Sequence, residues 1–202
     1  MKWSERTIAA VLAQQTFNRK YLVVVPNCNW TGYEADILAV TENLRLVDVE
    51  IKISRADLKA DAKKEKWWDR ERIGEWPWVT EWRRSSISND LIETCARRNG
   101  RFKSTHLDWP RRVWKHYYAL PAEIWTDDLL SSLGSAASGV LLLTEDAAGL
   151  RISCRRPAKP CRDADKLTPA AAVHVARLAS LRMWDAYKTV DALRAQQEAS
   201  HV

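Results

Sequence analysis

The most informative stretch of the chain, residues 34–61, reads EADILAVTENLRLVDVEIKISRADLKAD. It opens with two apolar segments, residues 34–41 and 44–54, separated by two polar residues. Apolar segments on either side of a short polar turn are typical of a β-hairpin. Apolar and polar residues alternate along the second segment, which predicts a strand with one apolar and one polar face. From Arg55 the composition becomes rich in Ala, Lys and Asp, which predicts a helix running to about residue 68.

The rest of the chain continues this mixture of helices and strands. Ser4 is a good helix N-cap, and apolar spacing predicts a helix to about residue 20. Further strands are predicted at residues 21–25, 116–120, 139–143 and 150–154, a short helix from Ser88 or Asn89 to Arg98, and a long helix over 168–197. This order predicts an α/β fold, a three-layer α/β/α arrangement around a central mixed sheet.

Composition narrows the functional classes. The 202 residues carry a formal net charge of +6, which favours a polyanionic partner or an anionic surface. The 11 tryptophans are expected in cores or on recognition faces. The longest apolar run is far shorter than the roughly 20 residues of a membrane-spanning helix, so we expect no membrane segment. The opening residues lack the pattern of a secretory signal, and the four cysteines contain no CxxC pair. We therefore expect a cytoplasmic protein with reduced thiols.

Three polar residues of the predicted hairpin suggest a chemistry. Asp36 lies on its first strand, and Glu50 and Lys52 lie on one face of its second. Two carboxylates on adjacent strands offer oxygen ligands to a hard cation, Mg²⁺ or alternatively Mn²⁺. The Lys52 ammonium could orient an attacking water or stabilise charge on a phosphate in the transition state. The alternative is a solvent-facing strand with cross-strand ion pairs, each contributing less than about 1 kcal/mol.

These residues resemble a known family. Asp36, followed one strand later by Glu50-Ile51-Lys52, is similar to the motif of the PD-(D/E)XK nuclease superfamily. The surrounding VEIKISRAD and the later HYYALP at residues 116–121 resemble its MmcB-like branch, whose members are associated with DNA repair. The apolar strand from Gly139 and the hairpin that follows it are also similar, so the resemblance covers roughly residues 1–66 and 113–157.

The resemblance implies a restriction-endonuclease-like core and a set of site residues. Asp36 and Glu50 would be metal ligands, the Ile51 carbonyl a third, and Lys52 the catalytic lysine. Glu5 matches a glutamate that many members carry on the first helix, and its alternative role is that of a partner for the helix dipole. Glu34 and Asp48 also lie on the polar face and could extend the acidic cluster. Asp57 and Asp61, four residues apart on the following helix, could lie behind the cluster or be solvated. The residue before Asp36 is alanine, where the family motif has proline.

The resemblance also defines the domain organisation that we expect. Residues 1–66 and 113–166 would form a discontinuous core, residues 67–112 an insertion, and residues 167–202 a C-terminal helix packed on the core. Residues 66–115 contain 12 Lys/Arg, 7 Asp/Glu and seven tryptophans. Cations interleaved with aromatic rings suit phosphates and unpaired bases, although the same tryptophans could instead build a small core for the insertion. The candidate DNA-binding residues are Lys59, Lys63, Arg83, Arg84, Arg97, Arg98, Arg111 and Arg112.

The function expected from these observations is Mg²⁺-dependent hydrolysis of DNA phosphodiester bonds. One alternative is a catalytically silent DNA-binding module with a nuclease fold. Another is a protein-interaction factor that uses the insertion. The four histidines are expected to be structural, and the C-terminal helix is expected to pack on the sheet, with a homodimer contact as the alternative.

Overall fold

The structure is a computed structural model that describes residues 3–17, 20–84, 91–147 and 149–199. It divides into two compact units. The first, which we call the core unit, comprises residues 1–67 and 108–202. The second, which we call the hairpin unit, comprises Trp68–Leu107.

A six-stranded mixed sheet forms the centre of the core unit. Its strands are β1 (Tyr21–Cys28), β2 (Ala35–Thr41), β3 (Leu46–Ile51), β6 (Val113–Pro121), β7 (Gly139–Asp146) and β8 (Gly149–Arg156), in the spatial order β1-β2-β3-β6-β7-β8. The strand β3 pairs in parallel with β6, and β6 pairs in parallel with β7, whereas the other neighbours are antiparallel. The predicted mixed sheet is thus confirmed.

Two layers of helix flank this sheet. On one face, α1 (Glu5–Val11) and the π-helical segment Leu12–Phe17 pack against apolar residues of β2 and β3. On the other face lie α2 (Arg55–Asp61) and α3 (Pro169–Ala199), which contribute Leu58 and Val175 to two further apolar clusters. Short 3-10 turns occur at Glu65–Trp67, Ala122–Ile124 and Asp127–Ser132. The arrangement is compatible with a three-layer α/β/α fold.

The helix starts follow the sequence, but two helices end earlier than predicted. Ser4 Oγ accepts a hydrogen bond from Thr7 N–H, and Ser54 Oγ accepts one from Asp57 N–H, as expected of N-caps. The first α-helix ends at Val11 and continues as a π-helical segment, whose wider turn brings Leu12 and Phe17 into the same core cluster. The second α-helix ends at Asp61 instead of near residue 68.

The hairpin unit consists of two long antiparallel strands, β4 (Trp68–Arg84) and β5 (Leu91–His106). The helix predicted up to Arg98 is therefore wrong, because residues 91–98 pair along their length with β4. Its expected caps, Ser88 and Asn89, lie outside the described residues. Pairing with β4, which is distant in the sequence, makes this segment a strand and overrides its weak local preference for a helix.

Two smaller expectations concern helices and thiols. No helix in the described part of the chain is long and apolar enough to cross a membrane. Three of the cysteines, Cys28, Cys154 and Cys161, are free thiols.

Candidate functional site

The antiparallel pairing of β2 and β3 brings the three predicted catalytic residues together. Ile37 pairs with Val49, so the neighbouring Asp36 and Glu50 lie side by side. The Asp36 carboxylate accepts a hydrogen bond of 2.7 Å from the Ile51 N–H. Lys52 lies just beyond β3, where its N–H donates to the Ala119 carbonyl on β6. Its Nζ is 2.7 Å from Glu50 Oε2 and 4.0 Å from Asp36 Oδ2.

The polar face of β3 points into the protein and not to solvent. All six residues of the strand are buried, and the side chains of Asp48 and Glu50 are fully inaccessible. The alternative of a solvated strand face is therefore wrong. A buried carboxylate must be paired or neutralised, because leaving its charge in a low-dielectric interior is costly.

Three lysine ammonium groups surround Glu50. Lys52 Nζ and Lys64 Nζ lie 2.7 and 3.2 Å from Oε2, and Lys66 Nζ lies 2.8 Å from Oε1. The contact with Lys66 lacks hydrogen-bond geometry at Oε1, but a Coulombic attraction at this distance does not depend on that angle. Lys52 and Lys66 are buried, whereas the Lys64 side chain is 48% exposed.

The same three lysines meet a second buried carboxylate, that of Asp61 at the end of α2. Its Oδ1 lies 2.9 Å from Lys64 Nζ and 3.3 Å from Lys52 Nζ, and its Oδ2 lies 3.3 Å from Lys66 Nζ. The Tyr118 hydroxyl donates to Oδ2 at 2.6 Å. Burial tends to raise the pKa of Asp61, but the lysine charges and this hydrogen bond outweigh it and hold the pKa well below its ordinary value.

Asp61 is buried, so the alternative that it is a solvated residue of the helix is wrong. One signal was available, since Asp61 lies three residues after Leu58 and therefore shares the helix face that Leu58 buries. The lysines gave no comparable signal. Lys64 and Lys66 follow the early end of α2 in a turn, and their direction depends on where that helix stops.

Asp48 belongs to a second polar group that adjoins the lysine cluster. Tyr33 Oη donates to Asp48 Oδ2 at 2.9 Å, while Oδ1 accepts no hydrogen bond. Burial raises the pKa of Asp48 to about 7 against the opposing attraction of Lys66. His116 Nδ1 lies 2.9 Å from Ser138 Oγ, and its Nε2 lies 3.5 Å from Lys66 Nζ.

Burial and the Lys66 charge lower the pKa of His116 well below its ordinary value. The ring is therefore neutral near pH 7, and because an ammonium only donates, Nε2 is the acceptor and Nδ1 carries the proton. Its burial among Lys66, Ser138 and Tyr118 gives His116 a structural position, behind the cluster.

Asp36 faces an open cavity of about 410 Å³. Glu5 on α1 and Ile51 at the end of β3 also line it, so three of the four predicted metal ligands border one space. The remaining walls come from α1, the end of β1 and α3: Arg6, Ala9, Pro26, Asn27, Ala186, Thr189, Val190 and Leu193. Burial, followed by the charge of Glu50, raises the pKa of Asp36 to about 6.

These groups fit a hard divalent cation in donor type and charge. Asp36, Glu5 and the Ile51 carbonyl supply oxygen atoms at the cavity. Burial, and after it the negative charge of Glu50, raises the pKa of Asp36, and a bound cation would offset both effects. Within the described residues, no group of three or more His, Cys, Asp or Glu side chains is preformed as a metal site. Both oxygens of Glu50 face lysine ammonium groups.

The eight candidate DNA-binding residues divide between the two units. Lys59 on α2 and Lys63 after it are exposed, as are Arg111 and Arg112 before β6. The Arg112 guanidinium lies 5.4 Å from the centre of the Trp30 ring. The other four belong to the hairpin unit, Arg83 and Arg84 at the end of β4 and Arg97 and Arg98 within β5.

Comparisons with known proteins bear on the fold alone. No family model matches this sequence, and no curated protein matches it. A similar solved structure is the SPO1766 protein of unknown function from Silicibacter pomeroyi, with 18% sequence identity and a TM-score of 0.50. The similarity covers 98% of this chain and 96% of that chain. At this identity it describes a shared fold and carries no statement about activity.

Proposed function

We propose that this protein is a divalent-metal-dependent nuclease that hydrolyses phosphodiester bonds of DNA. The observation that supports it best is the convergence of Asp36, Glu50 and Lys52, of which Asp36 lines an open cavity. The proposal is in keeping with the resemblance to the PD-(D/E)XK superfamily, with its restriction-endonuclease-like core, and with a cytoplasmic location. Asp36 and Glu50 would hold Mg²⁺ or Mn²⁺, with the Ile51 carbonyl and Glu5 as further ligands.

Each site residue has a defined task in this proposal. The cation, when bound, polarises the phosphate and lowers the pKa of a coordinated water. Burial tends to lower the pKa of Lys52, but the charges of Glu50 and Asp61 outweigh it and raise that pKa above the ordinary value. Lys52 therefore stays protonated and acts as a charged hydrogen-bond donor to the attacking water or to a phosphate oxygen, not as a base.

A second candidate is a catalytically silent DNA-binding module, and one observation favours it. Both oxygens of Glu50 are already in ion pairs with lysines, so ammonium groups supply the positive charge that a metal would otherwise bring. In this alternative the cluster would stabilise the fold, and the basic surface residues would bind DNA without turnover.

The test is a cleavage assay on labelled single-stranded, duplex and branched DNA, in Mg²⁺, Mn²⁺ or EDTA. The wild-type protein should cleave at least one substrate in a metal-dependent manner. The Asp36→Asn variant should lose at least 100-fold in rate and keep its fold, because an amide oxygen can still accept from the Ile51 N–H. Glu34→Gln is the matched control, since it removes an exposed carboxylate two residues away and should retain activity.

Three outcomes would contradict the nuclease proposal. Equal activity of Asp36→Asn and wild type would exclude Asp36 as a metal ligand. Salt-dependent DNA binding without cleavage in either metal would identify the silent module. A salt-insensitive complex with a protein, combined with no affinity for DNA, would identify an interaction factor. Anomalous density from Mn²⁺ between Asp36 and Glu50 in soaked crystals would support the nuclease directly.

A further inference from the structure

We propose that the Lys64 ammonium is an exchangeable counter-ion, which holds the charge of Glu50 and Asp61 in the metal-free protein and leaves them when a divalent cation binds. This inference rests on the proposed metal site at Asp36 and Glu50. It assigns to Lys64 a role in metal affinity that is different from the roles of the other two lysines of the cluster.

The first observation is the bridging position of Lys64. Its Nζ lies between two carboxylates that face one another, 2.9 Å from Asp61 Oδ1 and 3.2 Å from Glu50 Oε2. An ammonium in such a position attracts both carboxylates as a bound divalent cation would, but with one positive charge instead of two. Any cation that takes Glu50 Oε2 as a ligand must therefore compete with this ammonium.

The second observation is the difference in burial among the three lysines. The side chains of Lys52 and Lys66 are 3% and 2% exposed, whereas that of Lys64 is 48% exposed. Lys66 is further confined by the ring of Trp67, 5.2 Å away, and by His116. Only rotations of its own side chain separate the Lys64 ammonium from water, because its backbone lies in the turn after α2.

The third observation is the charge of the cluster. The carboxylates of Asp36, Glu50 and Asp61 face the three ammonium groups, so this set is balanced when all six groups are ionised. A divalent cation added to it would leave two excess positive charges in a buried environment. The excess falls to one if Lys64 swings into solvent at the same time, which favours the exchange.

The experiment measures Mn²⁺ binding by isothermal titration calorimetry and by electron paramagnetic resonance. In the Lys64→Met variant we expect the Mn²⁺ dissociation constant to fall by about tenfold or more relative to wild type, because the competing ammonium is gone. Lys63→Met is the matched control, since it removes a neighbouring exposed ammonium outside the cluster, and its dissociation constant should stay within about twofold.

The outcomes separate this inference from the proposed function. Unchanged or weaker Mn²⁺ binding by Lys64→Met, with binding retained by wild type, overturns the exchange and leaves the metal site intact. No Mn²⁺ binding by any of the three proteins overturns the proposed metal site, and the exchange with it.

A second measurement decides the question if Lys64→Met does not fold. In wild-type protein labelled with ¹³C-lysine, the Cε signal of Lys64, assigned through Lys64→Arg, should move toward the solvent-exposed position as Mg²⁺ is added. The Lys63 signal should stay in place. A Lys64 signal that does not respond to Mg²⁺ contradicts the exchange.

Discussion

At the scale of single residues, Asp61 has the densest set of partners in the cluster, with three ammonium groups and two hydrogen-bond donors on its carboxylate. Removing one member of a buried ionic group leaves its partners uncompensated, which costs far more than the net value of the pair. Asp61 should therefore be more sensitive to neutralisation than the proposed metal ligand Asp36, which lies at the cavity.

The Asp61→Asn variant is expected to lose roughly 3–5 kcal/mol of the free energy of unfolding, since three lysines lose part of their compensation. Tyr118→Phe, which removes the hydrogen bond to Asp61 and the acceptor of the Gly134 N–H, should lose about 1–3 kcal/mol. Urea denaturation followed by circular dichroism measures both values. Asp57→Asn on the same helix is the control and should lose less than about 1 kcal/mol. Equal losses for Asp57→Asn and Asp61→Asn would refute the central position of Asp61.

The pH dependence of stability should follow Asp48. Its pKa is raised from 3.8 to about 7 in the folded protein, so the folded state binds the proton more tightly than the unfolded state does. The contribution of Asp48 to stability therefore falls as pH rises from about 4 to 7. Asp36, raised to about 6, adds to this fall over the lower part of the range. Asp61 acts in the opposite direction and only below pH 4, because its folded pKa is lowered.

The Asp48→Asn variant removes this pH-dependent contribution to stability while keeping the shape of the side chain. Between pH 5 and 8 we expect it to gain of the order of 2–3 kcal/mol relative to wild type, since one pKa unit corresponds to about 1.4 kcal/mol. His116 Nε2 lies 3.8 Å from Asp48 Oδ2, so the difference also includes the change that the substitution makes to the titration of His116. Chemical denaturation at four pH values gives the difference, with the exposed Asp165→Asn as control. A pH-independent difference would disprove the raised pKa of Asp48.

The sequence predicts the part of the site that depends on local periodicity, and no more. Alternation along β3 and a short hairpin were enough to bring Asp36, Glu50 and Lys52 together. The partners that surround them come from distant segments: His116 lies 50 residues from Lys66, and Tyr118 lies 57 residues from Asp61. No periodicity links such positions, and for that reason the role of Asp61 and the lysine cluster required the structure.

At the scale of secondary-structure elements, the edge position of β1 in the sheet explains why this strand is longer than predicted. The strand predicted at residues 21–25 continues through Pro26 and ends at Cys28. Because β1 is the edge strand, the missing N–H of a proline need not interrupt the sheet ladder there. The strands of the core unit were predicted to within a few residues, because their apolar runs are buried on one or both faces.

The packing of Trp67, in the 3-10 segment Glu65–Trp67, against the turn after the 3-10 segment Asp127–Ser132 depends on a glycine. A Cβ at Gly134 would overlap the indole ring of Trp67, which is fully buried and donates through Nε1 to Asp61. The ring has no free space into which it can move. Gly134→Ala should therefore destabilise the fold by about 1–3 kcal/mol or more through overpacking.

Thermal unfolding of Gly134→Ala checks this expectation, with a matched substitution at Gly74. A Cβ at Gly74 in the hairpin unit meets no atom within 4 Å, so Gly74→Ala should leave the unfolding midpoint nearly unchanged. A Gly134→Ala variant as stable as wild type would show that the Trp67 ring is not held in place by Asp61.

At the scale of the whole molecule, the hairpin unit carries less of the positive charge than the basic window of the sequence, residues 66–115, does. The hairpin unit, residues 68–107, contains eight Lys/Arg and six Asp/Glu, so it holds only a minor part of the net charge of +6. Lys66, Arg111, Arg112 and Lys115 fell inside the basic window of the sequence but belong to the core unit. A basic composition therefore does not by itself assign DNA binding to the hairpin.

The ends of the hairpin allow that assignment to be tested by deletion. Trp68 pairs with His106, so the chain enters and leaves this unit at points about 5 Å apart. Replacing residues 68–107 with Gly-Ser-Gly should leave a core unit that unfolds cooperatively and binds Mn²⁺ within about twofold of wild type. If the hairpin binds DNA, the dissociation constant for DNA should rise at least tenfold, and its dependence on salt should become less steep.

A charge-only variant separates the effect of the cations from the effect of the strands. With the hairpin intact, Arg83, Arg84, Arg97 and Arg98 are replaced by glutamine, which removes the guanidinium groups that could neutralise DNA phosphates. For duplex DNA, the slope of log K against log[salt] should become shallower by about 0.9 for each phosphate that these arginines neutralise in wild type. Fluorescence anisotropy at four salt concentrations measures that slope.

If both variants bind DNA with the wild-type affinity and slope, the binding surface lies on the core unit, where Lys59, Lys63, Arg111 and Arg112 become the residues to test. If only the deletion weakens binding, the hairpin acts through its uncharged residues, and stacking of its aromatic rings on bases replaces phosphate neutralisation as the explanation.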